Sequence, residues 1–241
     1  MKLLCSIILT IAAISGCTKK QVIPHVVMTP KDTTKTAADS LNYLALGDSY
    51  TIGEAVPDTQ SFPYQLAAQL HTQKLAVKKP TIIATTGWTT DNLIAAIANS
   101  RLVGKKYNFV TLLIGVNDQF QGLSIINYSN KFQQVLNTAI DFVNGDKSKV
   151  FVLSIPDYGV TPFAGGNDAV IGPQIDQFNA INKSISTAAG VNYLDITGIS
   201  RQAANDPSLI APDGLHPSGK MYGFWVGQLA PMVVKVLGIG H

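Results

Sequence analysis

Cysteine is almost absent from this chain. Among its 241 residues only Cys5 and Cys17 are cysteines, and both precede the part of the sequence that has the pattern of a folded domain. No disulfide can therefore form within that domain. A cysteine nucleophile and dithiol redox chemistry are excluded there for the same reason.

Charged residues are also few. They make up 14% of the chain, and 18 Lys and Arg against 15 Asp and Glu give a formal net charge of +3. The basic residues are scattered, without the aromatic-interleaved basic stripe that follows a phosphate backbone. We therefore expect no nucleic-acid partner.

Several ligand-binding motifs are missing as well. No strand-like run is followed by Gly-x-Gly-x-x-Gly or by Gly-x-x-x-x-Gly-Lys-Ser/Thr, which disfavours a flavin- or nucleotide-binding module. Asp168, in the glycine-containing stretch 165–172, has no companion carboxylates at the spacing of a calcium loop. We expect no metal ion and no cofactor, and we interpret 165–172 as a mobile rim of the domain.

The first residues, in contrast, carry a clear pattern, that of a bacterial export signal. Lys2 supplies positive charge, residues 3–14 form a short apolar core, and small residues precede Cys17. The end of the segment, Ile-Ser-Gly-Cys, resembles the lipobox of bacterial lipoproteins, in which the signal is cut before a cysteine that becomes acylated. We predict a signal peptide over 1–16 and a lipid on Cys17; ordinary cleavage nearby, leaving Cys17 free, is the alternative.

Residues 17–40 are polar, rich in Lys and Thr, and contain Pro24 and Pro30. This composition predicts a flexible tether. With Cys17 acylated, the chain would be lipid-anchored in the bacterial cell envelope and face the periplasm. The membrane is then a partner through Cys17 alone.

From residue 41 to residue 241 the pattern indicates one domain. Apolar runs alternate with helical patterns, and five such β-α units favour a parallel sheet covered by helices on both faces. The predicted strands are 43–46, 81–84, 109–114, 149–155 and 191–194. The predicted helices are 62–74, 91–99, 125–144, 175–189 and 218–229, and Pro231 should end or bend the last of them.

Ser49 follows the first predicted strand, in the segment Leu-Gly-Asp-Ser-Tyr. A serine hydroxyl is a poor nucleophile until an imidazole accepts its proton, and a carboxylate usually orients that imidazole. Asp213 and His216 lie three residues apart in a loop containing Pro and Gly, so the carboxylate can reach the ring nitrogen that faces away from the serine. We predict a catalytic triad of Ser49, Asp213 and His216.

Each triad residue has a structural alternative. Ser49 is also suited to cap a helix that follows the strand. Other carboxylates near strand ends compete with Asp213 for the orienting role, namely Asp48, Asp118, Asp157 and Asp195.

Two further candidates follow strand-like runs. Gly87 lies in Thr-Thr-Gly-Trp-Thr-Thr, and Asn117 lies in Ile-Gly-Val-Asn-Asp. Because ligands bind beyond the carboxyl ends of parallel strands, both residues should reach the same sheet edge as Ser49. A loop turn at Gly87 and an Asx-turn at Asn117 are the structural alternatives.

With these blocks the chain resembles the SGNH subgroup of the GDSL esterase and lipase family, whose blocks carry a Ser, a Gly, an Asn and a His. Ser49, Gly87, Asn117 and His216 match them in that order, over about residues 41–237. Position 50 departs from the family, with Tyr in place of Leu. The resemblance implies a three-layer α/β/α sandwich with a five-stranded parallel sheet, flavodoxin-like, and metal-free hydrolysis of carboxylic esters or thioesters.

Acyl transfer places negative charge on the carbonyl oxygen, so hydrogen-bond donors must be held where that oxyanion forms. The backbone N–H groups of Ser49 and Gly87 and the side-chain amide of Asn117 are the predicted donors. The absence of a side chain at Gly87 lets the main chain approach the substrate.

The pocket and the substrate are less defined by the sequence. Asp48, Trp88 and Tyr158 lie near strand ends and are predicted to line the pocket, together with the rest of the loop 155–163 that contains Tyr158. Loop packing is the alternative. The substrate is an ester of a small molecule, a lipid or a glycan, and we expect a monomer. A carbohydrate O-deacetylase and a catalytically silent surface-binding lipoprotein are the alternatives. An α/β-hydrolase is disfavoured, because Ser49 does not lie in Gly-x-Ser-x-Gly.

Overall fold

A five-stranded parallel sheet forms the centre of the fold, as the alternation of strand and helix patterns predicts. The structure is a computed structural model that describes residues 40–102 and 104–238. The predicted signal peptide, Cys17 and the predicted tether up to residue 39 lie outside the described residues. In spatial order β2-β1-β3-β4-β5, the strands are β2 Thr81–Ala84, β1 Tyr43–Gly47, β3 Phe109–Leu113, β4 Val150–Leu153 and β5 Asn192–Leu194.

The three middle strands, β1, β3 and β4, are buried along their whole length. Side chains of a strand point alternately to the two faces of a sheet, so full burial means that helices cover both faces. Neighbouring strands also pack through aromatic rings. Tyr43 stacks on Phe109 with ring centroids 4.3 Å apart, and Phe109 meets Phe151 edge-on at 6.4 Å.

Eight α-helices occur in the described residues, and each strand is followed, before the next strand or the end of the described chain, by one helix of ten residues or more. They are α1 Ser49–Ile52, α2 Phe62–Thr72, α3 Thr90–Asn99, α4 Val116–Phe120, α5 Ile125–Phe142, α6 Asp168–Ala189, α7 Thr197–Ser200 and α8 Gly219–Leu237. Helix α2 packs on α8, and α5 packs on both α3 and α6. None of the helices within 40–102 and 104–238 has the length and apolarity that crossing a membrane requires.

Two helices differ from the sequence-based expectation. Helix α6 begins at Asp168, so most of 165–172, interpreted as a mobile rim, is helical. Helix α8 continues through Pro231 to Leu237. An internal proline costs a helix about 3 kcal/mol. Helix α6 contains Pro173, and α8 contains Pro231. Burial of apolar side chains beyond each proline, such as Ile175 in α6 and Val233 in α8, offsets that cost.

Candidate active site

The turn from β1 into α1 places Ser49 at the carboxyl edge of the sheet. Asp48 caps α1, and its Oδ1 accepts a hydrogen bond from the Tyr50 N–H at 3.0 Å. A Cβ at Gly47 would lie 2.1 Å from Thr51 Oγ1 and would also overlap the backbone of β3. Glycine at position 47 therefore lets the strand turn directly into the helix, with Ser49 as its first residue.

His216 is held by Asp213 in the loop before α8. The imidazole Nδ1 lies 2.5 Å from Asp213 Oδ2, while Oδ1 accepts from the N–H groups of Leu215 and His216, both at 3.0 Å. The carboxylate thus receives three hydrogen bonds from a segment of four residues. Because an ionised carboxylate only accepts, Nδ1 carries the proton and Nε2 is left as the acceptor.

The ionisation of Asp213 follows from these contacts. Partial burial by itself would raise its pKa, but the hydrogen bonds from the His216 ring and from the N–H groups of Leu215 and His216 together lower the pKa below the ordinary value. The side chain of Asp213 is 32% exposed, whereas that of His216 is buried. Asp213 is therefore negatively charged at neutral pH and stabilises a protonated imidazole.

Gly87 and Asn117 come from the next two strand ends along the chain. Gly87 has φ of +81° and open space around its Cα, so its backbone borders the cavity directly. The Asn117 amide donates one hydrogen bond to the Trp88 carbonyl at 3.0 Å. This bond orients the side chain and leaves the second amide hydrogen free for a ligand.

A buried carboxylate braces these two segments against each other. Asp118, next to Asn117, accepts from both the backbone N–H and the hydroxyl of Thr90, at 2.9 and 3.0 Å. Burial raises the pKa of Asp118, and the bonds from Thr90 oppose that rise. The loop with Gly87 and the start of α4 are thereby connected by two independent contacts, one through Asn117 and one through Asp118.

All these elements surround one cavity. It contains about 460 Å³ of space, and part of this space is open solvent. The residues that line it are Ser49, Tyr50, Thr86, Gly87, Val116, Asn117, Phe120, Tyr158, Phe163, Leu215 and His216. Among the hydrogen bonds of the described residues, none joins the Ser49 hydroxyl to the imidazole. Such bonds are often long until a substrate is bound.

The three residues predicted to line the pocket have different positions. Tyr158 lies in the wall of the cavity. Asp48 does not line it: its side chain is fully buried behind α1, which corrects the expectation of a substrate contact. The reason is its capping role, which turns the carboxylate back onto the backbone of the helix. Trp88 is half-buried, packs against the core, and is not part of the wall.

Several residues of the wall were not predicted from the sequence. The Tyr50 ring packs on the His216 imidazole, with centroids 5.3 Å apart, so the position that departs from the family touches the predicted base. Phe120 also reaches the cavity. Phe120 follows Asn117 by three residues, and this helical spacing was a usable signal. Phe163 also reaches the cavity, and it belongs to the loop 155–163 that was expected to line the pocket because it follows a strand end.

No group of three or more His, Cys, Asp and Glu side chains within 40–102 and 104–238 is arranged to hold a metal ion. The groups at the cavity are a hydroxyl and an imidazole, the carboxylate that holds the imidazole, and neutral hydrogen-bond donors. This set suits transfer of an acyl group to a serine.

The family is established by comparison with known proteins. The model of the GDSL-like lipase/acylhydrolase family matches residues 45–224, which span the sheet and the site. The chain belongs to this family, as the resemblance in its sequence blocks implies. Its membership makes it a hydrolase of ester bonds. No curated protein matches the chain.

Solved structures with the same fold include known esterases. TesA superposes with a TM-score of 0.63 at 17% identity, covering 81% of this chain and 99% of its own. Axe2, an acetylxylan esterase from Geobacillus stearothermophilus, has a TM-score of 0.60 at 16% identity, and the match covers 83% of this chain and 95% of Axe2. The psychrotrophic esterase EstA from Pseudoalteromonas sp. has a TM-score of 0.61 at 15% identity, and the match covers 82% of this chain and 99% of EstA. At these identities the similarity concerns the fold, and it confirms the predicted α/β architecture.

Proposed function

We propose that the protein hydrolyses carboxylic esters or thioesters through an acyl-enzyme formed on Ser49. The Ser49 oxygen attacks the carbonyl carbon while its proton passes to His216 Nε2. The bond to the leaving alcohol or thiol then breaks, and the leaving group takes that proton. Water attacks the acyl-enzyme in the same manner and releases the acid, which restores the serine.

The oxyanion formed in each step would be held by the N–H groups of Ser49 and Gly87 and by the free amide hydrogen of Asn117. All three residues border the cavity that His216 also lines. Removal of one such donor costs typically about 3 to 4 kcal/mol of transition-state stabilisation. Asn117→Ala is accordingly expected to lower kcat strongly with little change in KM.

One observation carries the proposal: the Asp213–His216 pair, with Nδ1 engaged by the carboxylate, lines the same cavity as Ser49 and Asn117. The pair alone is compatible with a structural role. A serine esterase needs such a pair beside a serine and a hydrogen-bond donor. Here the pair shares its cavity with Ser49, the first residue of α1, and with the free amide hydrogen of Asn117.

Covalent labelling tests this function. The protein should react with a fluorophosphonate ester, and Ser49→Ala should abolish the reaction while leaving thermal unfolding nearly unchanged. His216→Ala should lose comparable activity, because residues that act as one unit are not additive when removed. Labelling that persists in Ser49→Ala would place the nucleophile elsewhere, and no labelling of the wild type would support a silent binding protein.

Location is a separate proposal, and it rests on the sequence. We propose that Cys17 carries a lipid that anchors the protein in the cell envelope, with the polar residues up to 40 as a tether. Fractionation of wild type against Cys17→Ser tests it. Wild type should partition with membranes and the variant with the soluble fraction, and identical partitioning of the two would contradict the anchor.

A further inference from the structure

Three aromatic rings stand together on one wall of the cavity. We call Phe120, Tyr158 and Phe163 the aromatic cup. The Phe120 ring lies 6.1 Å from Tyr158 and 6.0 Å from Phe163, and Tyr158 lies 6.4 Å from Phe163, measured between centroids. Phe120 and Phe163 are 55% and 52% exposed, so their two neighbouring rings form an exposed apolar patch at the cavity.

The cup lies between the groups proposed to react. Phe120 ends the short helix α4 that also carries Asn117. Phe163 is tied to the loop of the imidazole, because its N–H donates to the Gly214 carbonyl at 3.0 Å, two residues before His216. A molecule whose carbonyl sits at Ser49 would therefore extend its remaining atoms toward these rings.

The remaining wall offers a ligand little except apolar surface. Besides the proposed reacting groups and the cup, it consists of Tyr50, Thr86, Val116 and Leu215. The hydroxyl of Thr86 donates its hydrogen to the carboxylate of Glu54, so toward a ligand it can act only as an acceptor. His216 is the only ionisable side chain in this wall apart from the two tyrosines.

The tilt of the rings distinguishes a chain from a sugar. Rings of the cup are inclined to one another by 46° to 71°, so they form a concave surface rather than a flat one. A sugar ring needs a flat aromatic face together with hydrogen-bond partners for its hydroxyl groups. A concave set of rings instead surrounds a narrow alkyl or aryl group and removes its surface from water.

The geometry points to the aromatic cup as the binding site for an alkyl or aryl part of the ester, and so to apolar esters rather than acetylated carbohydrates as the substrate class. This inference rests on the proposed function. Each methylene buried in the cup should raise kcat/KM about fourfold until the cup is full.

Two series of esters identify the apolar part that enters the cup. One series keeps ethanol and lengthens the acid from acetate to octanoate, and the other keeps acetate and lengthens the alcohol from ethanol to octanol. Ester hydrolysis is followed by acid release. We expect kcat/KM to rise with length in one series at least, and the rising series shows whether the acyl part or the alcohol part is bound.

The variant Phe120→Ala/Phe163→Ala tests whether the cup causes this rise. The ratio of kcat/KM for the longest over the shortest ester should fall at least about tenfold, as expected when most of the buried surface is lost. Phe224→Ala is the matched control, because Phe224 is a phenylalanine on α8 that is 44% exposed and does not line the cavity. It should keep the wild-type ratio.

Several outcomes would overturn the inference. An unchanged length dependence in the double variant would do so, and so would faster hydrolysis of acetylated xylooligosaccharide than of any long ester. Affinities of ethyl acetate and ethyl octanoate for Ser49→Ala, measured by calorimetry, separate binding from turnover. If the wild type hydrolyses none of these esters, the proposed function fails. The calorimetry still tests the cup: tighter binding of ethyl octanoate than of ethyl acetate supports it, and equal binding refutes it.

Discussion

Two buried carboxylates, Asp48 and Asp118, flank the candidate site at the residue scale without lining its cavity. Asp48 is fully buried, and its Oδ2 has no hydrogen-bond partner. Burial raises the pKa of Asp48 to about 8, against the bond from Tyr50 N–H, which lowers it. Asp118, in contrast, uses its Oδ2 for two hydrogen bonds from Thr90. The two carboxylates should therefore behave differently on titration and on substitution.

For Asp48 the expected result is a change in the pH dependence of stability. Its pKa is higher in the folded state than in the unfolded state, so its stabilising contribution is full below about pH 4 and is lost as the pH rises through about 8. The free energy of unfolding of wild type minus that of Asp48→Asn should fall over this interval and level off above it. One pKa unit corresponds to about 1.4 kcal/mol, so urea unfolding at several pH values measures the effect.

The control for this titration is Asp146→Asn. Asp146 is an exposed carboxylate whose pKa is lowered by its bond from Ser148, so it titrates at the acid end. Above pH 5 the free energy of unfolding of Asp146→Asn, plotted against pH, should run parallel to that of wild type. Parallel curves for Asp48→Asn as well would show that Asp48 is ionised in the folded protein.

Asp118 is expected to act as a positioning residue. Asp118→Ala removes the acceptor of both bonds from Thr90, so the loop with Gly87 moves relative to Asn117, and kcat should fall about tenfold to a hundredfold with KM changed little. Asp118→Asn keeps an oxygen acceptor and should recover most of this activity. Steady-state kinetics on one ester measures both variants.

Asp91→Ala is the matched control for Asp118. Within residues 40–102 and 104–238, Asp91 forms its ion pair with the partly exposed Lys131 alone, at 2.6 Å. This variant should leave kcat unchanged. A rise in KM alone for Asp118→Ala, or an Asn variant as impaired as the Ala variant, would contradict the positioning role.

At the element scale, the connection from β4 to α6 carries two rings of the cup and is held from outside the cavity. Arg201, directly after α7, donates to Asp157 Oδ2 at 2.9 Å and to Asp176 Oδ1 at 2.8 Å. Asp157 is buried and starts the turn of Tyr158, while Asp176 belongs to α6. One guanidinium thus joins three elements.

Arg201→Met should therefore lower the free energy of unfolding by about 1 to 3 kcal/mol, because Asp157 is left buried without its cation. Lys220→Met is the matched control: it breaks the pair of Lys220 with Asp206, 2.7 Å apart, and both of these side chains are exposed. Its cost should be clearly smaller than that of Arg201→Met, because water screens an exposed ion pair. Chemical denaturation measures both, and equal costs would show that burial of Asp157 is unimportant.

At the scale of the whole molecule, the packing of α8 on α2 joins residues far apart in the chain. Trp225 is fully buried and meets Tyr222 edge-on at 5.0 Å and Phe62 at 6.3 Å. Since Phe62 begins α2 and Trp225 lies in the last helix, this cluster connects the first and last long helices described.

Trp225→Ala should lower the free energy of unfolding by about 3 to 5 kcal/mol, the usual cost of a large cavity in a core. The neighbouring Phe224, which is half-exposed, provides the comparison: Phe224→Ala should cost less than about 1 kcal/mol. Thermal or urea unfolding reports both. A small effect of Trp225→Ala would mean that the helix pair contributes little to the fold.

The sequence by itself determined the architecture and the positions of the main chemical groups. Strand and helix patterns are local. A strand buries alternate side chains and a helix every third or fourth, so the order of apolar and polar residues within a short segment indicates which of the two forms. The sheet with its five strands, and the blocks that contain Ser49, Gly87, Asn117 and His216, could therefore be predicted before any contact was known. The spacing of Asp213 and His216 is local in the same sense.

Only the tertiary structure decided what depends on residues distant in the chain. Helices α6 and α8 continue past their prolines because side chains distant in the chain pack against them. The free energy gained by this packing cannot be read from the residues around each proline. Asp48 faces inward because it caps α1. Phe120 and Phe163 meet because α4 and the loop after β4 end at one edge of the sheet, so the aromatic cup exists only once the chain is folded.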